Sequence, residues 1–355
     1  MIVAMWGKRL LQRLDRTFRP PDQAGARWRG ALAALLAPLC LLPAGCGRQE
    51  SAADLPHAPT SLSPRFYAPT GWAWGRISLA DRSELRYGVA SPPVYPRASV
   101  LVLPDRDEPA EVWFETANDL LARGCTVWVL EGASRGSSAL DPSMGALQQM
   151  IGAVIRPRGR PLILVGQGLG STLALRALGE GRAPEVRAAV IASPTLDLAR
   201  ADLWSSPEQL ETAAEWATRL RAGWTPLPGD GQPRLGGAAP VGLDPRRAGL
   251  TAAWRRTDPS LKPKRTTLGW VWGYDQAIRM ARAPSAYVRA SIPVVMAATA
   301  GDGRAAAACR RLPACTLWAV PASAPHLARD EIRKLWLGRI AALVETARAA
   351  PGLGR

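Results

Sequence analysis

Histidine is almost missing from this chain. Only His57 and His326 occur in 355 residues, which excludes a metal site built from several imidazoles. There is no internal repeat and no clustered set of metal-ligating residues, and no cofactor is expected. A dense basic run is also lacking, although 45 Lys and Arg against 29 Asp and Glu give a formal charge of +16. Seven of those bases and two of the acids precede Ala31, and without them the charge is +11. The remaining excess is arginine scattered among alanines and prolines. That pattern reads as solvated charge, whereas a nucleic-acid surface clusters its bases on one face, so no nucleic acid is expected as partner. Attraction to an anionic membrane surface remains compatible with it.

An apolar stretch long enough to cross a bilayer comfortably is absent as well. "ALAALLAPLCLLPAGCG" (Ala31–Gly47) is short and interrupted by proline, which suits the apolar region of an export signal. It ends in "LPAGC", small residues before Cys46, which resembles a bacterial lipoprotein signal with Cys46 as the lipidated residue. Pro43 stands where that signal usually has leucine. A lipoprotein, an ordinary cleaved signal and an uncleaved anchor are the three readings. All of them send the body of the chain across the inner membrane, to the periplasmic face as a lipoprotein or into the periplasm.

Cysteines are few, five in all. Cys40 would leave with the signal, and Cys125 in "CTVWVL" reads as a small buried hydrophobe. Cys309 and Cys315 bracket "RRLPA" and either close a small disulfide loop in an oxidising compartment or remain two buried thiols.

Segments 1–46 and 47–64 are read as signal and tether; the latter is polar and rich in proline and serine, and it holds His57. Beyond it, "ASVLVLP", "CTVWVLEG", "PLILVG" and "VRAAVIAS" read as strands apolar on both faces, with helix-like stretches between them. This alternation predicts an α/β fold with a mostly parallel, doubly wound sheet. It covers 65–196, stops over 197–286 and resumes over 287–350. The interruption is too long for a loop and predicts a helical cap over the carboxyl edge of the sheet.

Several motifs in order resemble the α/β-hydrolases, closest to the bacterial lysophospholipase and monoacylglycerol lipase branch related to serine aminopeptidases. They are "ASVLVLPDR", "LARGCTVWVLEGASRGSS", "LILVGQGLGST", "DPRRAGLTAAWRRTDPSLKPKRTTLGWVW", "IPVVMAATAGD" and "VPASAPHL". The resemblance spans Arg65 to Ala347. It implies ester hydrolysis by a serine on a strained turn, a histidine that takes its proton, an acid that orients the histidine, and backbone N–H groups that hold the oxyanion. Asp302 and His326 fall at the acid and histidine positions, and Leu169 in the oxyanion region.

The nucleophile does not match. In "GQGLG", Gly166 and Gly170 keep the flanking glycines, but Gly168 takes the serine position. Ser171 is a poor substitute, since three helical residues carry its hydroxyl away from the site; its expected role is to satisfy free N–H groups in the first turn. Pro104-Asp105 replaces the His-Gly of the oxyanion loop, and a carboxylate there would oppose a developing oxyanion. The altered "EGASRGSS" keeps only Gly136 and Ser138 of the usual pattern. The leading expectation is therefore an exported, lipid-anchored protein with impaired catalysis that binds an acyl or lysolipid ligand. The alternative is an active ester hydrolase with a non-standard nucleophile. If the elbow is merely vacant, Gly168→Ser should gain weak esterase activity.

Overall fold

The computed structural model describes residues 58–79, 84–132, 142–157, 159–198, 206–227, 244–283, 291–321 and 326–350. Cys40, Cys46 and His57 lie outside these, as do Gly136 and Ser138.

An eight-stranded sheet forms the centre. Its strands are β1 (Ala73–Ser78), β2 (Glu84–Ala90), β3 (Ala98–Leu103), β4 (Cys125–Leu130), β5 (Leu162–Gln167), β6 (Val186–Ala192), β7 (Val294–Thr299) and β8 (Cys315–Val320). The order is β1-β2-β4-β3-β5-β6-β7-β8; β2 is antiparallel to β1 and β4, and all other pairings are parallel. Successive side chains of a strand point to opposite faces, so each central strand feeds two cores. Leu101, Leu164, Ile191 and Met296 enter one, and Val100, Val165, Val190 and Val295 enter the other. This explains why β3 and β5 are apolar apart from Ser99 and Gln167 and are buried throughout. Truncating one of these side chains, as in Leu164→Ala, would cost about 2–5 kcal/mol.

Helices cover both faces. The first face carries α2 (Pro142–Gln149) and α3 (Leu169–Gly179); α1 (Phe114–Ala122) lies on the other. A helical turn of π type, Met150–Ile155, continues α2 and ends at Arg156 in the left-handed region. The connection from β6 to β7 supplies α4 (Pro207–Arg219), α5 (Pro245–Ala248), α6 (Leu250–Thr257) and α7 (Leu268–Arg282). After β7 come α8 (Gly303–Arg311) on the first face and α9 (Arg333–Ala349) on the second.

Packing extends into two segments outside the alternating core. Part of the presumed tether is packed: Pro59 is buried, Ala58 and Leu62 lie against the second core, and Tyr67 donates its hydroxyl hydrogen to the Leu62 carbonyl at 3.0 Å. Apolar side chains spaced through this proline-rich segment give it something to bury. The insertion is likewise joined to the core. α7 contributes Trp270, Val271, Tyr274 and Ile278 to the first core, while Trp254 of α6 meets Phe114 edge to face at 5.5 Å. Glu115 of α1 receives both Nε and Nη2 of Arg247, at 2.6 and 2.8 Å, and lies 3.6 Å from Arg333 of α9. Cys309 and Cys315 form a disulfide, with 5.4 Å between their Cα atoms, and Cys125 is a buried thiol.

A second buried ionic group joins β2 to the start of α1. Arg86 donates to both oxygens of Glu111 at 2.9 Å and to Glu131 at 2.6 Å, and its guanidinium stacks 4.2 Å from the Trp74 ring. One guanidinium thus serves two carboxylates. The Glu111 pKa is raised to about 7, chiefly by burial and further by Glu131, with Arg86 working in the opposite direction. A carboxyl whose pKa is raised on folding stabilises the native state below its unfolded pKa and loses that contribution as pH rises through the folded value. The unfolding free energy should therefore fall by up to about 3 kcal/mol between roughly pH 4.5 and 7 on account of this group. Urea titrations of wild type and Glu111→Gln across that range should show the wild-type decline and a flatter variant; parallel profiles would contradict the assignment.

Candidate active site

The turn between β5 and α3 retains the shape of a nucleophile elbow. Gly168 has φ 52° and ψ −117°, a conformation other residues hold only under strain, and its N–H donates to the Ala192 carbonyl at 3.0 Å. The flanking glycines answer to packing. A Cβ at Gly170 would lie 2.0 Å from the Leu103 carbonyl oxygen, and one at Gly166 would lie 2.6 Å from the Ser171 Cα. Helix α3 can begin this close to β3 and β5 only without those side chains.

The space beside Gly168 is taken by another side chain. A Cβ built at Gly168 would fall 2.1–2.4 Å from the carboxyl atoms of Asp105. Asp105 follows β3 and turns its carboxylate into the space a nucleophile would use. Oδ1 accepts the Leu169 N–H at 2.8 Å and the Arg106 N–H at 2.7 Å. Leu169 directly follows the elbow residue and Arg106 belongs to the loop after β3, the two places from which an oxyanion hole draws its donors. The side chain is thus bound where a substrate oxyanion would be. Burial raises the Asp105 pKa and Glu108 raises it further; His326 and the two N–H groups work in the opposite direction.

His326 and Asp105 line one cavity of about 340 Å³, together with Arg106, Thr195, Tyr274 and Arg329 among others. No aliphatic side chain lines it among the described residues. Glu108 and Arg329 pair at 2.7 Å along its wall, and Arg255 donates to the Asp107 carbonyl at 2.6 Å. Burial, and secondarily the Asp105 charge, raise the Tyr274 pKa, while a hydrogen bond with Thr195 lowers it.

Asp302 and His326, the expected acid and histidine, stand at the start of α8 and at the rim of the cavity. Asp302 caps α8, its Oδ1 accepting the Arg304 and Ala305 N–H groups at 3.1 Å. The buried Nδ1 of His326, the atom an orienting acid would hold, has no hydrogen-bond partner. Ser171 is fully buried and donates its hydroxyl hydrogen to the Ala192 carbonyl at 2.8 Å. It neither faces the cavity nor caps the helix as expected, because its side chain points to the end of β6. Pro104 is buried beside the elbow. Sequence reasoning missed Tyr274, Glu108 and Arg329. The run "DRDEP" carried a signal, since four charged residues directly after an apolar strand are unusual for a loop beside a hydrolase pocket.

In fold, the chain is similar to a monoglyceride lipase of Saccharomyces cerevisiae solved with a substrate analogue. The TM-score is 0.59 at 13% identity, covering 77% of this chain and 96% of that one. It is also similar to a monoacylglycerol lipase of Paleococcus ferrophilus, with TM-score 0.56, 16% identity, and coverage of 75% and 100%. A third likeness is to DcsB in complex with its substrate analogue, with TM-score 0.58, 13% identity, and coverage of 79% and 100%. The chain has the α/β-hydrolase fold. No protein-family model matches the sequence, and no curated protein matches it in sequence.

Within this α/β-hydrolase fold, Asp105 changes what a restored serine can do. Gly168→Ser should show no gain over wild type on p-nitrophenyl acetate, because its Cβ and the Asp105 carboxyl group need the same space. Adding Asp105→Ala frees both the space and the N–H groups, and should raise the rate at least about tenfold over the single variant, the order of effect expected of oxyanion donors. A gain from Gly168→Ser alone would show that Asp105 does not hold the elbow.

Proposed function

We propose that this chain is an exported, lipid-anchored α/β-hydrolase-fold protein that has given up serine-based ester hydrolysis and binds a ligand in its remaining cavity. The observation that carries this reading is the Asp105 carboxylate, held by the Leu169 and Arg106 N–H groups in the volume of the absent side chain. Acyl transfer needs a nucleophile and an open oxyanion hole. Here the first is glycine and the second is occupied from within. The rival reading, an active esterase with a displaced serine, draws no support from Ser171, whose hydroxyl is buried on the Ala192 carbonyl.

The ligand is a monoacyl lipid or lysolipid held by its polar end. The hydroxyls of Thr195, Thr251 and Tyr274, set among arginines and the carboxylates of Asp105, Asp107 and Glu108, suit a hydroxyl-bearing glycerol group far better than an acyl chain. Anchoring rests on Cys46 and the small residues before it.

A fluorophosphonate probe should leave the purified protein unlabelled, and stoichiometric labelling of any serine would overturn the non-catalytic reading. A palmitate analogue fed to expressing bacteria should mark the wild type and not Cys46→Ala. An unmarked wild type would remove the lipid anchor while leaving the reading of the elbow intact.

A further inference from the structure

Large apolar side chains are exposed at Met280, Leu317 and Leu335 and as the neighbours Val94 and Tyr95, and three more lie close in sequence at the end of α4. Trp216, Leu220 and Trp224 are 55%, 71% and 70% exposed. Trp216 and Leu220 are four residues apart, so they share a face of the helix end. The segment presenting them is firmly held. The Ala222 N–H donates to the Ala217 carbonyl at 2.7 Å, the Gly269 N–H to Gly223 at 2.8 Å, the Leu268 N–H to Thr225 at 2.9 Å and the Leu227 N–H to Thr266 at 2.7 Å. Two tryptophans are therefore displayed to solvent on a braced turn, at a standing hydrophobic cost that calls for an occupant.

The surrounding charge identifies that occupant. Arg221 lies on the same turn, and Lys262, Lys264 and Arg265 lead into Thr266, which the turn is bonded to. All four are exposed, and none is paired with a carboxylate among the described residues. Arg219 is balanced by Glu215 at 2.5 Å. Indole rings favour the boundary between headgroups and acyl chains, and lysines and arginines at that depth are drawn to anionic lipid. We propose that Trp216, Leu220 and Trp224, with Arg221 on the same turn and Lys262, Lys264 and Arg265 in the segment bonded to it, form a surface that inserts into the headgroup layer of an anionic bilayer. None of these residues lines the ligand cavity. The contact would fix the orientation of an anchored body.

Hydrogen exchange read by mass spectrometry tests this on the full chain carrying Cys46→Ser, which removes any lipid. Vesicles of phosphatidylcholine, with or without phosphatidylglycerol, serve as the probe. Amides of residues 217–227 and 266–269 should gain protection on the anionic vesicles and little on the neutral ones. Replacing Trp216, Leu220 and Trp224 together by serine should abolish that local protection. Neutralising Arg221, Lys264 and Arg265 to glutamine should weaken partitioning by about fivefold per charge. Protection confined to the basic segment before Ala31, equal protection on both vesicle types, or no binding at all would each overturn the proposal. A protein partner in place of the bilayer would give the last of these outcomes.

Discussion

The carboxylate of Asp105, held by two backbone N–H groups beside a glycine, is the contact on which the rest of the site depends. An elbow with no side chain leaves a small polar hole: Leu169 and Arg106 point N–H groups into it, and unsatisfied buried donors are costly. Asp105 supplies the acceptor and fills the volume. Glycine at 168 and aspartate at 105 therefore belong together, since neither arrangement is comfortable without the other. A serine at 168 would require the Asp105 carboxyl group to move off its two N–H donors, and an alanine at 105 would leave those donors without that acceptor.

The surroundings make this resident carboxylate tolerable. Burial and Glu108 push its pKa up, while His326 and the two N–H groups pull it back. Glu108 is in turn tied to Arg329, so the loop after β3 is braced by the segment that carries His326. Arg255 of α6 holds the same loop through the Asp107 carbonyl. The insertion, the loop and the last core segment thus meet around Asp105, and a motion of that loop would have to break an ion pair as well as the two hydrogen bonds at the elbow.

Much of this architecture was legible in the sequence. The central strands were readable because burial on both faces leaves a continuous apolar run, as in β3 and β5. β1 and β2 are not legible in this way: they lie toward one edge, and arginine, glutamate and glycine interrupt their alternation. The elbow was readable because its glycines are imposed by close backbone approach, a local demand that spacing records. Its filling by Asp105 was not, since it depends on where a side chain 64 positions away from Leu169 turns. Asp302 was read by its place in the chain as a triad acid. "GDGR" at the start of α8 also fits a helix cap, which is the role the structure gives it.

The account stands or falls on the Asp105 side chain, and a crystal structure at neutral pH refined to high resolution examines it most directly. The account predicts Oδ1 within hydrogen-bond distance of both the Leu169 and Arg106 nitrogens, with no solvent in the elbow. An Asp105 side chain turned out into the cavity, with ordered water on those two nitrogens, would contradict it.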